Sequence, residues 1–215
     1  DLIKTLEGKG FTYTTEDGSV FFKISKFKKY GLLSGIDSTQ LLAGERVETD
    51  EYDKEEARDF ALWKAYKDTE QGIYWDSPWG KGRPGWHIEC SSMSMHYLGD
   101  VFDIHCGGVD NIFPHHDNEI AQSCAATGSK FVNYWLHNEH LLVENEKMSK
   151  SQGNFYTLRD IIDKGYSLDS IRYTLLTTHY RQKLNFTFEK IESSQKVINK
   201  LRELKRRLEG CTETN

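Results

Sequence analysis

The stretch Gly85–Glu119 concentrates the residue types that bind transition metals. It holds five of the eight histidines and two of the four cysteines, together with several carboxylates. Imidazole and thiolate donors gathered with carboxylates are typical of Zn²⁺ sites. The residue types alone leave a second interpretation open, a polar surface patch with a few core histidines. We therefore predict a zinc site and test it against that alternative.

The spacing of His115 and Glu119 favours a shared ligand face. They lie four residues apart in segment 115–126, which has the pattern of a helix. Side chains at that spacing share one helix face, as two ligands of one ion do in zinc-protease helices. Cys90, on a predicted helix over 86–97, adds a thiolate from across a β–α unit. A His–Glu pair also occurs on ordinary helices, so spacing alone leaves the choice open.

A second candidate site is the string KMSKS at positions 147–151, followed by Gly153 and Asn154. Two lysines, two hydroxyl side chains and a glycine predict a mobile loop that binds around a polyphosphate. The lysines would neutralise charge on leaving pyrophosphate, and the hydroxyls would donate hydrogen bonds. The alternative for any pair of nearby lysines is an exposed loop without function.

The elements that must position these residues predict an α/β chain. Residues 1–8 are predicted to be the end of a helix, and segment 45–56 is predicted to be an exposed excursion from the folded core. Segment 59–64 fits a helix or a strand, and 75–84 reads as turn or loop. Strands alternating with helices predict β–α–β units and a parallel sheet. The remaining predicted elements are a hairpin (11–15 and 19–24), strands (101–104, 131–136, 141–143) and helices (158–164, 169–178 and one from 188).

Composition excludes several classes of protein. With 37 % hydrophobic and 28 % charged residues the chain is globular, and no apolar run approaches the roughly 18–20 residues of a membrane helix. The cysteines lack regular disulfide spacing, which favours a reducing compartment, the cytoplasm. The net charge of −5 leaves nucleic-acid contact to local basic clusters. Segment 200–207 of the last helix is such a cluster, either RNA-facing or a solvated helix end.

Three strings carry a resemblance to a known family. The KMSKS string looks like the signature loop of class I aminoacyl-tRNA synthetases. Within that class, GWHIECS, DIHCGGVDNIFPHHDNEIAQS and NYWLHNEHLLVENEKMSKSQGNF resemble the cysteinyl-tRNA synthetase family. The resemblance runs from about residue 1 to about residue 210.

The resemblance implies specific roles for residues of this chain. It implies three of four zinc ligands, which are Cys90, His115 and Glu119. It also implies contacts with substrates: Trp86, His105 and His137 in the cysteine-binding active site, Asp110, Gly107, Gly108 and Lys150 at ATP, and Lys147 with Lys150 in catalysis. His87 and His116 would be outer partners of the metal ligands or purely structural residues.

The chain also departs from the family pattern. The family's fourth ligand, a cysteine, and its His-x-Gly-His loop are expected upstream of residue 1, and an anticodon-binding domain after the last helix. The chain is therefore expected to be a fragment. Cys106 stands where the family has glycine, either as a spare thiol near the metal or as a small residue tolerated in a tight turn.

The implied fold is the second half of a Rossmann-type nucleotide-binding domain. Residues 1–58 would form a small connective insertion, 59–157 the catalytic half with the zinc site and signature loop, and 158–215 a helical stem-contact region. The implied function is cysteine–tRNA ligation by a cytoplasmic monomer, using L-cysteine, ATP with Mg²⁺, tRNA(Cys) and one Zn²⁺. Three alternatives stay open: a ligase joining cysteine to an amino-sugar amine, a zinc hydrolase using the His115–Glu119 pair, and an inactive fragment.

Overall fold

The protein is described from a computed structural model that covers residues 1–36, 59–67, 72–151 and 153–212. The predicted excursion over 45–56 lies outside these residues. The chain forms two compact units, Asp1–Leu136 and His137–Asn215, which are described separately. Their boundary differs in position from the predicted region boundaries near 58 and 157, which stay predictions. Among the described helices, none has the length and apolarity needed to cross a bilayer.

The first unit opens with helix α1 (Leu2–Gly8) and a four-stranded sheet. Its strands, each antiparallel to the next, are β1 (Thr12–Thr14), β2 (Val20–Phe22), β3 (Phe60–Ala65) and β4 (Gly82–Pro84). The predicted α1 and hairpin are confirmed, and segment 59–64 is a strand. The loop predicted over 75–84 is wrong at its end, because Gly82–Pro84 pairs with β3 as an edge strand, where a proline is tolerated.

Segment 60–65 forms strand β3 rather than a helix because both faces of its first half are buried. Its first four residues, Phe60–Trp63, are all buried. Phe60, Leu62 and Trp63 join a core with Leu6 of α1 and with Val20 and Phe22 of β2. A continuous apolar run of this length suits a strand buried on both faces.

The rest of the first unit carries the candidate site. It contains helix α2 (Trp86–Leu98), strand β5 (Phe102–Gly108), helix α3 (Asp117–Thr127) and strand β6 (Val132–Asn138), whose last residues belong to the second unit. The predicted α2 is confirmed. Strand β5 pairs with β6 and continues through the glycines that suggested an earlier end.

The second unit packs helices around a small sheet. Its strands are β7 (Leu141–Val143), β8 (Glu146–Lys147) and β9 (Leu184–Phe186), and its helices α4 (Leu158–Asp163), α5 (Leu168–Leu176) and α6 (Phe188–Thr212). Strand β7 runs antiparallel to β8 and parallel to β9. The strand–helix alternation predicted parallel pairing, and β7 and β9 pair in this way. In the four-stranded sheet of the first unit, each strand is instead antiparallel to the next.

Candidate metal centre

Helix α2 presents its first turn to the site because its start lies against β3. A Cβ atom added to Gly85, the N-cap residue, would lie 1.9 Å from the carbonyl oxygen of Ala61. Only glycine allows this approach. The turn that follows carries His87 and, one turn later, Cys90, whose thiol is half-buried.

Helix α3 is positioned by hydrogen bonds to its buried first turn. The Tyr30 hydroxyl donates to Asn118 Oδ1 at 2.5 Å, and the Leu33 amide donates to Asp117 Oδ1 at 3.3 Å. His115 lies in the wide turn Ile112–His116 immediately before this helix. The predicted helix start at residue 115 is therefore two residues early, yet His115 and Glu119 still face each other.

Three side chains converge as a triad: Cys90, His115 and Glu119. One ligand atom of each lies within 4.8 Å of the others. His115 Nε2 lies 2.9 Å from Glu119 Oε1, with the side chains 7 % and 0 % exposed. Apart from its histidine neighbours, Glu119 has no hydrogen-bond donor among the described residues. The residues predicted by spacing and resemblance are thus brought together.

The electrostatics of the triad favour a cation. Burial alone lowers the pKa of His115, but the adjacent Cys90 thiol and Glu119 carboxylate outweigh this and raise it to about 9. Burial together with the positive charge of His115 lowers the pKa of His87 to about 3, so His87 is neutral at pH 7. Positive charge between Cys90 and Glu119 is therefore stabilised, whether a proton or a metal ion supplies it.

His87 orients His115 from outside the triad. The two Nδ1 atoms lie 2.8 Å apart, and the His87 ring meets Phe60 edge-on at 5.6 Å between centroids. With its Nδ1 engaged, His115 turns Nε2 toward Glu119. A ligating histidine is commonly held by a partner at its other nitrogen. The sequence left His87 open between this role and a purely structural one, and the contact favours the first.

A second triad shares Glu119 and contains His105 and His116. His105 Nε2 lies 3.6 Å from Glu119 Oε1, and burial lowers the pKa of His105. The Trp135 ring lies 4.7 Å from the His105 ring and 4.8 Å from the His116 ring. Sequence reasoning missed Trp135, because nothing in the local pattern of β6 distinguishes it from an ordinary strand aromatic.

The Cys90–His115–Glu119 triad fits Zn²⁺. Tetrahedral zinc with bonds of about 2.0–2.3 Å holds its ligand atoms roughly 3.3–3.8 Å apart. The three ligand atoms here lie within 4.8 Å of one another, and the His115–Glu119 pair, at 2.9 Å, would open slightly around the ion. Sulfur, nitrogen and oxygen donors together suit this metal. The fully buried carboxylate of Glu119 is the strongest single indication, because a buried carboxylate is costly unless positive charge, from protonated His115 or from a metal ion, neutralises it.

Three other predicted residues of the first unit are Trp86, Gly107 and Gly108. The centroid of the Trp86 ring lies 4.4 Å from that of the His115 ring, and Trp86 is 56 % exposed. It therefore lies between one side of His115 and the solvent. A Cβ atom on Gly107 would lie 2.6 Å from His116 Cε1, and one on Gly108 would lie 2.2 Å from Asp110 Oδ1. These glycines therefore allow close packing here, while their predicted contact with ATP stays a prediction.

The remaining predicted residues lie in the second unit. His137 lies in β6, and Lys147 and Lys150 lie in the signature loop with both side chains exposed. Met148 packs against the core of Val143, Ile161 and neighbours, so it anchors the loop between the two lysines. Their roles with substrate stay predictions.

The basic segment of α6 is largely paired. Arg206 and Arg207 each donate to Glu203 at 2.9 Å, and Arg202 contacts Asp169. These exposed pairs are typical of a solvated helix surface. The contacts favour that alternative over an RNA-facing helix for the part of α6 that they cover.

Comparisons with known proteins identify relatives of this chain. The cysteine–tRNA ligase of Brachyspira hyodysenteriae is 60 % identical over 100 % of this chain and 45 % of its own length. Those of Protochlamydia amoebophila and Chlamydia pneumoniae are each 53 % identical over 97 % of this chain and 44 % of their own lengths. The chain thus spans a little under half of the curated relatives it matches.

A solved structure supports the fold alone. It comes from a Campylobacter jejuni protein described as an arginyl tRNA synthetase, with a TM-score of 0.50 and 15 % identity over 90 % of this chain and 34 % of that one. The family described as "tRNA synthetases class I (C) catalytic domain" matches residues 1–196. The predicted family is thereby confirmed: this chain belongs to the class I (C) tRNA synthetase catalytic domains.

Proposed function

We propose that this chain is the zinc-binding and signature-loop part of a cysteine–tRNA ligase. The observation that carries the proposal is the Cys90–His115–Glu119 triad, with its fully buried carboxylate, in a chain of this family. The relatives are named cysteine–tRNA ligases. Their activity is proposed for this chain because it covers under half of their length.

The triad would select the amino acid. Serine differs from cysteine by one atom, and pocket shape discriminates such near-isosteres only by roughly 10–200-fold. When bound, Zn²⁺ supplies a soft Lewis acid that favours a thiolate over a neutral hydroxyl. Cys90, His115 and Glu119 would hold it. His87 keeps the His115 ring oriented, and Trp86 shields one side of the triad from water.

Lys147 and Lys150 would act on ATP. A carboxylate oxygen of cysteine attacks the α-phosphorus, the bond from that phosphorus to the bridging oxygen breaks, and pyrophosphate leaves with the electron pair. The two ammonium groups and Mg²⁺ neutralise charge that grows on the leaving group. A ribose hydroxyl of tRNA(Cys) then attacks the acyl carbonyl and releases AMP. Asp110, Gly107 and Gly108 are proposed to contact ATP, and His105 and His137 the amino acid.

The setting of the protein is proposed on the same grounds. All four cysteines are free thiols, which agrees with a reducing compartment such as the cytoplasm. We propose one Zn²⁺ per chain, and a monomer as the acting form. The named relatives favour tRNA over an amino sugar as acceptor. A zinc hydrolase is disfavoured because it gives the signature loop no role.

The test is cysteine-dependent exchange of labelled pyrophosphate into ATP by the complete gene product. We expect exchange with cysteine, far less with serine, and a loss of about 10²–10³-fold in Lys150→Ala. Lys196→Ala, on an exposed helix position, is the matched control and should keep full activity. Exchange that is absent or equal for the two amino acids would refute the proposal, and acceptor assays with tRNA and with an amino sugar separate the two ligases.

A further inference from the structure

The side chain of Asn154 forms two hydrogen bonds with the backbone of the signature loop. Its Oδ1 accepts a hydrogen bond of 2.8 Å from the Ser149 amide, and its Nδ2 donates one of 3.1 Å to the Lys147 carbonyl. In an extended backbone, the carbonyl of one residue and the amide two residues later point to the same side. A primary amide offers one acceptor and one donor that match this pair, so Asn154 binds the loop as a neighbouring strand would.

The chain returns to make this contact through a turn at Gly153. Gly153 has φ +69°, and its amide donates to the Lys150 carbonyl at 3.3 Å. Left-handed φ values are unfavourable for residues with a Cβ atom. On the other side, the half-buried Met148 packs against the core of the second unit. Each residue from Lys147 to Ser149 is thus held by a contact of its own.

We propose that Asn154 is a positioning residue of the signature loop: it sets the backbone that carries Lys147 and Lys150. The amide does not itself reach substrate in this scheme. Its two hydrogen bonds hold the Lys147 carbonyl and the amide of Ser149, the residue before Lys150. The exposed ammonium groups then approach the phosphates with less loss of conformational freedom. The statement about loop structure stands alone, whereas its consequence for catalysis rests on the proposed function.

Asparagine is the residue type that this arrangement requires. Alanine removes both hydrogen bonds. Aspartate keeps the acceptor for the Ser149 amide at the same position but has no donor for the Lys147 carbonyl. The series Asn154, Asn154→Asp and Asn154→Ala therefore removes the hydrogen bonds one after the other.

Trypsin reports on the loop, because Lys147 and Lys150 are its cleavage sites. We expect Asn154→Ala to raise cleavage after these two lysines by roughly 5- to 30-fold, as loss of one to two net hydrogen bonds implies, with Asn154→Asp in between. Cleavage at Lys190, in a helix of the same unit, should not change. Gly153→Ala should reproduce the effect, and Asn199→Ala, an exposed helical control, should not.

Kinetics then test the catalytic part with the complete gene product. We expect Asn154→Ala to lower kcat for pyrophosphate exchange by about tenfold with an unchanged KM for cysteine, and Asn154→Asp to restore part of it at 0.15 M salt. Unchanged loop cleavage in Asn154→Ala, or a rise at Lys190 as large as in the loop, overturns the inference. If loop cleavage follows the series while the wild-type protein lacks exchange, the proposed function fails and the loop-positioning role stands.

Discussion

Cys90→Ser is expected to abolish most of the stability that the first unit gains from zinc. In the metal-free chain the substitution is nearly isosteric at a half-buried position, so its direct cost is small. With zinc the expected effect is large, because one member of a three-residue triad is replaced by a neutral hydroxyl. Loss of an outer partner alone costs about 10–100-fold in metal affinity, and loss of a ligand costs at least as much.

The magnitude follows from binding linkage. Zinc at 100 times its Kd stabilises the folded wild-type unit by about 2.7 kcal/mol. If the affinity falls 100-fold, the same zinc concentration stabilises the variant by about 0.4 kcal/mol, which leaves a difference of about 2.3 kcal/mol. For a unit of this size one kcal/mol shifts Tm by roughly 3–5 °C, so the zinc-induced shift should differ by about 7–11 °C.

Tryptophan fluorescence is the assay, because all five tryptophans lie in the first unit. Melting curves with EDTA and with zinc are recorded for the wild type, for Cys90→Ser and for Cys124→Ser. Cys124 is a half-buried cysteine outside the triad, so it controls for the general cost of replacing sulfur by oxygen. An equal zinc-induced shift in Cys90→Ser and the wild type, or an equal loss in both variants, would refute the assigned ligand set.

Three further substitutions probe how the elements hold the site and the loop. Gly85→Ala should destabilise the first unit by about 1–3 kcal/mol in urea unfolding, because the new Cβ would overlap the carbonyl oxygen of Ala61. His87→Ala should weaken zinc binding by about 10–100-fold in competition with a chromophoric chelator, whereas His96→Ala, on an exposed turn of the same helix, should not. Thr157→Ala should cost about 1 kcal/mol of stability in the second unit, measured by chemical denaturation followed by circular dichroism, because it removes the side-chain cap of α4.

The parts of the site that sequence could predict are those set by short spacing. His115 and Glu119 face each other because four residues bring two side chains to one side of a helical turn. The signature loop was likewise a continuous string. The contact between His87 and His115 joins residues 28 positions apart, and the packing of α2 against α3 creates it. Nothing in either local sequence encodes that contact.

Strand β4 shows the same limit for the fold. Its residues, Gly82–Pro84, have neither alternating hydrophobicity nor high strand propensity. They are extended because β3 offers an edge, with Trp63 opposite Pro84 and Ala65 opposite Gly82. Tertiary pairing thus overrides a local pattern that favours a loop.

Helix α3 explains why hydrophobic periodicity alone could not reveal the site. The buried first turn of this helix is polar rather than apolar: Asp117, Asn118 and Glu119 are each at most 2 % exposed. Burying polar groups is costly unless they are partnered. Asn118 and Asp117 each accept a hydrogen bond from the 30–33 segment, whereas Glu119 faces the imidazoles of His115 and His105. Helix α3 therefore carries one buried carboxylate that positive charge must neutralise, from the His115 imidazolium or from a metal ion. Substituting Cys90, which belongs to the same triad, is the most direct test of the site.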